Sequence, residues 1–279
     1  MEQENRSNGN EGQTAPEKKN GLQRREFLKL SLVGLAATVG PAVAWKKTTS
    51  GTPEGEESKH SWAMVIDQAK CVGCGHCTMA CRAHNDVPPG MAWNRIMEDE
   101  EDGPYLPIPC MHCEDAPCVH VCPVGATYNR PDGIVMMDYD RCIGCRYCEM
   151  ACPYSSRSFN WEEFTEPNPA VPKWGQPDVK RRPRGVVEKC TFCVQRIDRG
   201  LENGLTPGVD QAATPACVVA CPTGARIFGD LNDPESPVSK ALARYPSFRL
   251  RENLGTGPRV YYLPPRDKEE NVVNQEVCS

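Results

Sequence analysis

The sequence predicts an α+β chain of short helices, β-hairpins and much irregular backbone, held together by metal or disulfides rather than by a large apolar core. Three observations predict it. The 279 residues include 17 cysteines, 26 prolines and 23 glycines. Hydrophobic residues make up 39% of the chain with those cysteines counted in, too little for a core that sustains the fold unaided. Sixteen of the cysteines fall into four groups of four. Lysine and arginine total 32 against 37 aspartate and glutamate, a formal charge of −5. That balance argues against a nucleic-acid binder, where a basic excess is expected.

The N-terminus reads as an address. Residues 1–22 are polar; Gln23-Arg24-Arg25-Glu26-Phe27-Leu28-Lys29 follows, and then an apolar run over 30–45. Adjacent arginines ahead of a short apolar run have the form of a twin-arginine export signal. The run holds Gly34, Gly40 and Pro41 and falls short of the roughly 20 residues that span a bilayer. Ala42-Val43-Ala44 offers a cleavage site before Trp45. Residues 1–44 are therefore expected to be the signal and 45–61 a linker. The mature chain is expected at the periplasmic, extracytoplasmic side, without a transmembrane segment of its own.

The first cysteine group is Cys71-x2-Cys74-x2-Cys77-x3-Cys81, followed by Arg82. The second is Cys110-x2-Cys113-x4-Cys118-x3-Cys122, followed by Pro123. Cys142-x2-Cys145-x2-Cys148-x3-Cys152 and Pro153 form the third. The fourth opens with Cys190-x2-Cys193, runs 23 residues, and closes with Cys217-x3-Cys221 and Pro222. C-x2-C-x2-C-x3-C-P is the bacterial ferredoxin run for [4Fe–4S] clusters, in which the fourth cysteine serves the other cluster of a pair. A cubane needs one thiolate per iron, and a tight loop delivers three. Gly73, Gly75 and Gly144 let backbone amides approach the sulfurs. Four groups imply four [4Fe–4S] clusters.

Structural zinc also uses C-x2-C pairs, but as two pairs set far apart; three cysteines at x2-x2 spacing suit a cubane better. A disulfide scaffold is compatible with export, yet repeated x2 spacing within one loop disfavours it. Cys278 fits no group and reads as a free thiol. His76 and His112 lie inside cysteine loops that already hold enough thiolates, so they read as neighbours of the sites or as solvent-facing. His84 and His120 show no acid–base partner. Lys180-Arg181-Arg182-Pro183-Arg184 reads equally as a charged contact or a solvated loop. No nucleophile elbow, P-loop or dinucleotide fingerprint is present, so no substrate pocket or bond chemistry is expected.

Between the second and third groups, 127–130, Pro131-Asp132-Gly133 and 134–138 read as strand, turn and strand. Cys-Pro-x-Gly-Ala recurs at 122–126 and 221–225, an internal repeat that implies duplication of a small module. Five prolines within 167–183 predict irregular backbone there. Ser236-Pro237 should start a helix ending near Arg244, serine at N-cap and proline at N1. Val260-Tyr261-Tyr262-Leu263 should form a late strand.

From about residue 62 to 263 the chain resembles the four-cluster iron–sulfur subunits of the dimethyl sulfoxide reductase (molybdopterin oxidoreductase) family. The resemblance rests on the four groups in order and on Cys-Pro-Val-Gly-Ala at 122–126, Arg-Cys-Ile-Gly-Cys-Arg-Tyr-Cys at 141–148 and Ala-Cys-Pro-Tyr at 151–154. Glu-Lys-Cys-Thr-Phe-Cys at 188–193 and Gly-Thr-Gly-Pro-Arg-Val-Tyr-Tyr at 255–262 add to it. It implies two ferredoxin-like 2[4Fe–4S] modules. The outer comprises 62–109 with 186–231, and the inner 110–155; 156–185 is a Pro-rich insertion and 232–279 a C-terminal extension.

The implied ligand sets cross over. Cys71, Cys74 and Cys77 join Cys221, while Cys190, Cys193 and Cys217 join Cys81. In the inner module Cys110, Cys113 and Cys118 join Cys152, and Cys142, Cys145 and Cys148 join Cys122. The resemblance also implies two partners, a molybdopterin-containing catalytic subunit and a membrane quinone-reactive anchor subunit, with electrons passing between them. Another membrane redox complex, such as a hydrogenase or a sulfite-reduction system, and a multi-zinc structural protein are the competing readings.

If the arginine pair is an address, Arg24→Lys combined with Arg25→Lys leaves a folded, cluster-bearing precursor in the cytoplasm. Cell fractionation checks this; undiminished export would make the segment a Sec signal or an anchor.

Overall fold

The protein is described by a computed structural model over residues 58–98 and 104–266. The arginine pair, the apolar run, the cleavage site, most of the linker and Cys278 lie outside the described residues. In chain order the elements are β1 (Trp62–Asp67), α1 (His76–His84), β2 (Arg95–Glu98), β3 (Tyr105–Ile108), α2 (Pro117–His120), β4 (Thr127–Asn129), β5 (Val135–Met137) and α3 (Tyr147–Ala151). Then follow β6 (Arg157–Phe159), β7 (Val187–Lys189), α4 (Val194–Glu202), α5 (Ala216–Val219), β8 (Arg226–Asp230), α6 (Pro237–Arg244) and β9 (Val260–Leu263). The elements are short and separated by much irregular backbone, as the composition predicts.

β1 is buried along its whole length because it is the centre of the one three-stranded sheet among the described residues, β8-β1-β9, antiparallel to β8 and parallel to β9. Alternation divides its side chains. Trp62, Met64 and Ile66 enter the main core with Phe228 and Tyr262. Ala63 and Val65 enter a smaller one with Leu263, Val238 and Ala241, under α6. Eight of the cysteines are themselves part of the main core, among them Cys77, Cys81, Cys110 and Cys190. The apolar core and the sulfur sites are thus one body.

The expected hairpin is present: β4 and β5 pair antiparallel with Thr127 opposite Met137. Asp132 holds its turn, accepting from the Ile134 amide and from Arg130. The module duplication shows in matching bonds. Asp67, four residues before Cys71, donates its amide to the Ala225 carbonyl (2.7 Å); Asp138, four before Cys142, donates to Ala126 (2.6 Å). Both acceptors are the alanine of the repeated Cys-Pro-x-Gly-Ala.

Two expectations need correction. α6 begins at Pro237 with Ser236 at N-cap, but the hydroxyl makes no capping bond. It is buried without a partner among the described residues, in space left by the missing side chain of Gly229. The Pro-rich segment is largely irregular, yet it opens with β6, which pairs with β7. Beyond it, Asn168 donates to the Arg82 carbonyl and to Asp86 (3.0 Å each). The basic run at 180–184 is partly consumed inside the protein. Arg181 forks onto Asp86 (2.9 Å), and Arg182 pairs with Glu188 at 3.1 Å, their side chains 4% and 0% exposed.

That last pair is braced. The Trp93 indole N–H donates to Glu188 (3.2 Å), and the Arg182 guanidinium lies 4.6 Å above the Trp93 ring. Burial pushes the Glu188 carboxyl up, opposed by Arg182 and Trp93. Removing one partner of such a pair leaves an uncompensated charge and costs about 3–5 kcal/mol. Arg182→Met is therefore expected to speed hydrogen exchange at the β7 amides by lowering the opening free energy. Glu188→Gln combined with Arg182→Met should recover much of the loss; exchange unchanged in the single variant would refute the role.

Candidate metal centres

Each cysteine loop is wound the same way. The residue before the second cysteine has a positive φ in all four groups: Gly73 (66°), His112 (45°), Gly144 (71°) and Phe192 (54°). This left-handed turn folds the C-x2-C segment back on itself. In the first and third groups a second left-handed residue, Gly75 or Arg146, precedes the helix that carries the third cysteine, with the fourth in the same helix (Cys81) or capping its end (Cys152). The fourth group starts its helix from Cys193 itself, also left-handed. Side-chain-bearing residues in this region store about 1–2 kcal/mol each. His112 and Phe192 are held there by stacking on one another, ring centroids 3.7 Å apart.

The helices bring distant groups together. α1 packs on α5, joining groups one and four, and α2 packs on α3, joining groups two and three. Around several sulfurs the neighbours cross between groups. Cys81 lies among Cys190, Cys193 and Cys217 of the fourth group, and burial with those neighbours pushes its thiol well up. Cys71 has Cys77 and Cys221 beside it. Cys113 is pushed up to about 12 by burial, with Cys110, Cys118 and Cys152 adding to it. Cys148 has Cys142 within reach, and also Cys118 of the neighbouring set. Cys190 is likewise pushed up to about 12 by burial and by Cys110, which marks where the two modules meet.

Donors point at sulfur. The Ala126 amide donates to Cys122 (3.2 Å), the Phe192 amide to Cys190 (3.4 Å), and the Asn85 side chain to Cys193 (3.4 Å). Burial alone would raise Cys221, but the Thr223 hydroxyl and the amides of Arg226, Ala225 and Thr223 outweigh it and hold the thiol below its ordinary value. Among the described residues no three His, Cys, Asp or Glu side chains close around a single ion. A cubane asks for four thiolates, one for each iron, rather than four ligands on one ion. The donor set of four soft thiols therefore fits an iron–sulfur cluster.

The histidines near the cysteine loops are engaged by other groups. His112 is fully buried rather than solvent-facing, and its Nδ1 accepts from the Val135 amide (3.0 Å). His76 lies against Trp174, while His84 and His120 bind Asp178 and Asp115. Three residues outside the cysteine motifs stand beside the sulfurs instead. Arg157, Lys189 and Arg226 are 4%, 0% and 3% exposed. The two arginines carry a readable signal, for each lies five residues after a Cys-Pro cysteine, Cys152 or Cys221.

Left-handed C-x2-C loops, cysteines of paired groups brought beside one another and amides aimed at sulfur define a ferredoxin-type 4Fe–4S protein. Family models agree: 4Fe-4S dicluster domains match residues 101–166 and 141–225, and a 4Fe-4S binding domain matches 62–83. A Halobacterium salinarum protein, named as the iron–sulfur subunit of a dimethyl sulfoxide reductase, is 47% identical over 222 residues, 73% of this chain and 79% of the relative. The iron–sulfur cluster-binding subunit of menaquinone reductase from Nitratidesulfovibrio vulgaris is 45% identical over 235 residues, 76% and 92% of the two chains. The arsenate respiratory reductase iron–sulfur subunit of a Shewanella species is 39% identical over 234 residues, 72% and 94%. The chain belongs to the family of iron–sulfur subunits of dimethyl sulfoxide reductase-type respiratory oxidoreductases. It is an electron-transfer subunit carrying multiple 4Fe–4S clusters, and the zinc reading falls.

The loop geometry separates two glycines of similar φ. A Cβ on Gly144 would collide with the Gly185 carbonyl oxygen, whereas one on Gly75 would meet nothing within 4 Å. Gly144→Ala is expected to cost about a quarter of the bound iron, one cluster in four, and Gly75→Ala to retain it. Iron per chain checks both; equal iron in the two variants would discount the collision.

Proposed function

We propose that four [4Fe–4S] clusters, held by the crossed sets given above, form a one-electron wire between a membrane quinone-reactive subunit and a molybdopterin-containing catalytic subunit. The observation that carries the reading is the placement of Cys81 among Cys190, Cys193 and Cys217, which ties sulfurs more than 100 residues apart in sequence into one site. Bound clusters supply one-electron redox chemistry. The chain excludes water from the inner sulfurs, aims amides at them and fixes the order of the sites.

That order follows from which sulfurs neighbour which. Cys77 beside Cys217, Cys110 beside Cys190 and Cys118 beside Cys148 support an order with Cys71, Cys74, Cys77 and Cys221 at one end, then the set with Cys81, then the set with Cys152, and last Cys142, Cys145, Cys148 and Cys122. Only Cys74 and Cys145 are exposed among the described cysteines, one in each terminal set, where electrons would enter and leave. Ile143, Tyr147 and Met150, 64%, 61% and 79% exposed, surround Cys145 and suit a protein partner. A relative named for menaquinone reductase supports the quinone side, and those named for dimethyl sulfoxide and arsenate reductases support a catalytic subunit on the other. Among the described residues no helix is long and apolar enough to cross a membrane; this reading assigns membrane attachment to the quinone-reactive partner. The twin-arginine motif supports assembly on the periplasmic face.

Anaerobically isolated chain should carry about 16 iron and about 16 sulfide, four of each per cubane. Cys81→Ser and Cys190→Ser are expected to perturb the same paramagnetic signal, and Cys71→Ser and Cys221→Ser a different one. Zinc without sulfide would sink the cluster assignment. Cys81→Ser and Cys71→Ser altering one signal together would sink the crossing.

A further inference from the structure

Three cations are buried beside the sulfurs, and none forms an ion pair with a carboxylate among the described residues. Arg157, the first residue of β6, donates from Nη2 to the Cys118 sulfur (2.9 Å) and the Thr127 hydroxyl (2.7 Å), and from Nη1 to the Met137 sulfur (3.7 Å). Arg226, the first residue of β8, repeats this arrangement. Its Nη1 donates to the Met64 sulfur (3.4 Å) and the Cys217 sulfur (3.8 Å), and its Nη2 to the Asn94 side-chain oxygen (2.6 Å). Cys118 and Cys217 are equivalent, each four residues before the last cysteine of its group. Lys189 has no counterpart. Its ammonium donates to the carbonyls of Val135, in the inner hairpin, and of Cys190 (2.7 Å), in the outer module, so it bridges the seam.

Each cation is within electrostatic reach of sulfurs of two sets. Arg226, bonded to Cys217 (3.8 Å), interacts with Cys217 and Cys190 of one set and Cys77 of another. Lys189, bonded to the Cys190 carbonyl (2.7 Å), interacts with Cys190 of one set and Cys110 and Cys118 of another. Arg157, bonded to Cys118 (2.9 Å), interacts with Cys118 and Cys110 of one set and Cys148 of another. Four sites in a row have three junctions, and each junction holds one cation. Burying an unpaired cation is costly, so its recurrence at all three junctions calls for a compensating anion, and reduced clusters with their thiolates are the anions at hand.

We infer that Arg226, Lys189 and Arg157 are the potential-setting residues of the wire, one at each junction, so that each inner cluster is held by two cations and each terminal cluster by one. The inference rests on the proposed order of the clusters. A fixed positive charge favours the reduced form, which carries one more electron, and it acts strongly across a water-poor interior. The inner pair is accordingly easier to reduce than it would be without Lys189. An electron arriving at either end then meets sites whose charge is shared with the next along.

The experiment is an EPR-monitored potentiometric titration of the cluster-loaded full chain. Arg226→Gln, Lys189→Gln and Arg157→Gln are each expected to lower the reduction equilibrium constants of two of the four couples at least tenfold, about 59 mV for a one-electron couple. The other two couples should stay within threefold. The Lys189 pair shares one couple with each arginine's pair, and the two arginine pairs share none. A uniform shift, no shift, or both arginine variants moving the same pair would overturn the inference. Arg226→Lys, Lys189→Arg and Arg157→Lys keep the charge and should move no couple by more than threefold; movement as large as in the glutamine variants would also overturn it. If a glutamine variant takes up no iron, its charge-retaining counterpart decides: loading there supports a need for charge, and failure in both counts against it. Iron and sulfide in the unaltered chain are read on the same samples, so absence of clusters would reject the proposed function, while four clusters without the overlapping pattern would reject only this inference.

Discussion

A thiolate in a water-poor interior costs several kcal/mol unless opposite charge or hydrogen-bond donors stand close by, and this chain gathers sixteen cysteines into so small a body that most are wholly or partly buried. Much of the architecture answers to that cost. The loops wind left-handed so that amides can reach sulfur, the Asn85 side chain reaches Cys193 as well as closing the end of α1, and two buried arginines, Arg157 and Arg226, face sulfur instead of carboxylate. The apolar core remains modest because it shares its interior with the metal sites. Metal binding and folding are then one event.

The same cost explains how much is legible in the sequence. Spacing exposes the cysteine groups, the hairpin at 127–138, the late strand at 260–263 and the repeated Cys-Pro-x-Gly-Ala, because each is a local pattern with a local cause. The sharing of sulfurs between groups is suggested by resemblance, and the packing of α1 on α5 gives it a physical basis. Lys189 is hidden, since a lone lysine beside a cysteine carries no periodic signal; only the fold shows that Val135, 54 residues away, lies over it. The left-handed His112 and Phe192 are equally hidden. A glycine announces such a turn, but a histidine or phenylalanine adopts it only when tertiary stacking compensates. The Ser236 hydroxyl misleads for a related reason: a residue type favoured at a helix start is taken up by packing against Gly229.

The two modules are joined by more than the chain between them. An aromatic series runs from Trp62 through Phe228 and Phe192 to His112, with centroid separations of 5.7, 5.4 and 3.7 Å. It leads from the outer sheet to the loop of the second cysteine group. β6, which directly follows the inner module, pairs with β7, which leads into the fourth group. Lys189 closes the same seam. Shear between the halves would have to break stacking, a β-ladder and a charge contact together, so the spacing of the two inner sites is rigidly kept.

The nesting of the contacts has a consequence for biosynthesis. α2 and α3 are about 30 residues apart and can meet as soon as the middle of the chain has left the ribosome. α1 must wait for α5, and β1 for β8 and β9, which are made last. The inner half can therefore pack while translation is still under way, whereas the outer half stays open, its first cysteine group without its closing segment until the final strands arrive. A chain truncated before residue 226 would lack β8 and leave that early group without its closing strand. Completion of the polypeptide, rather than the appearance of each motif, thus sets the moment at which the whole molecule becomes a finished redox protein.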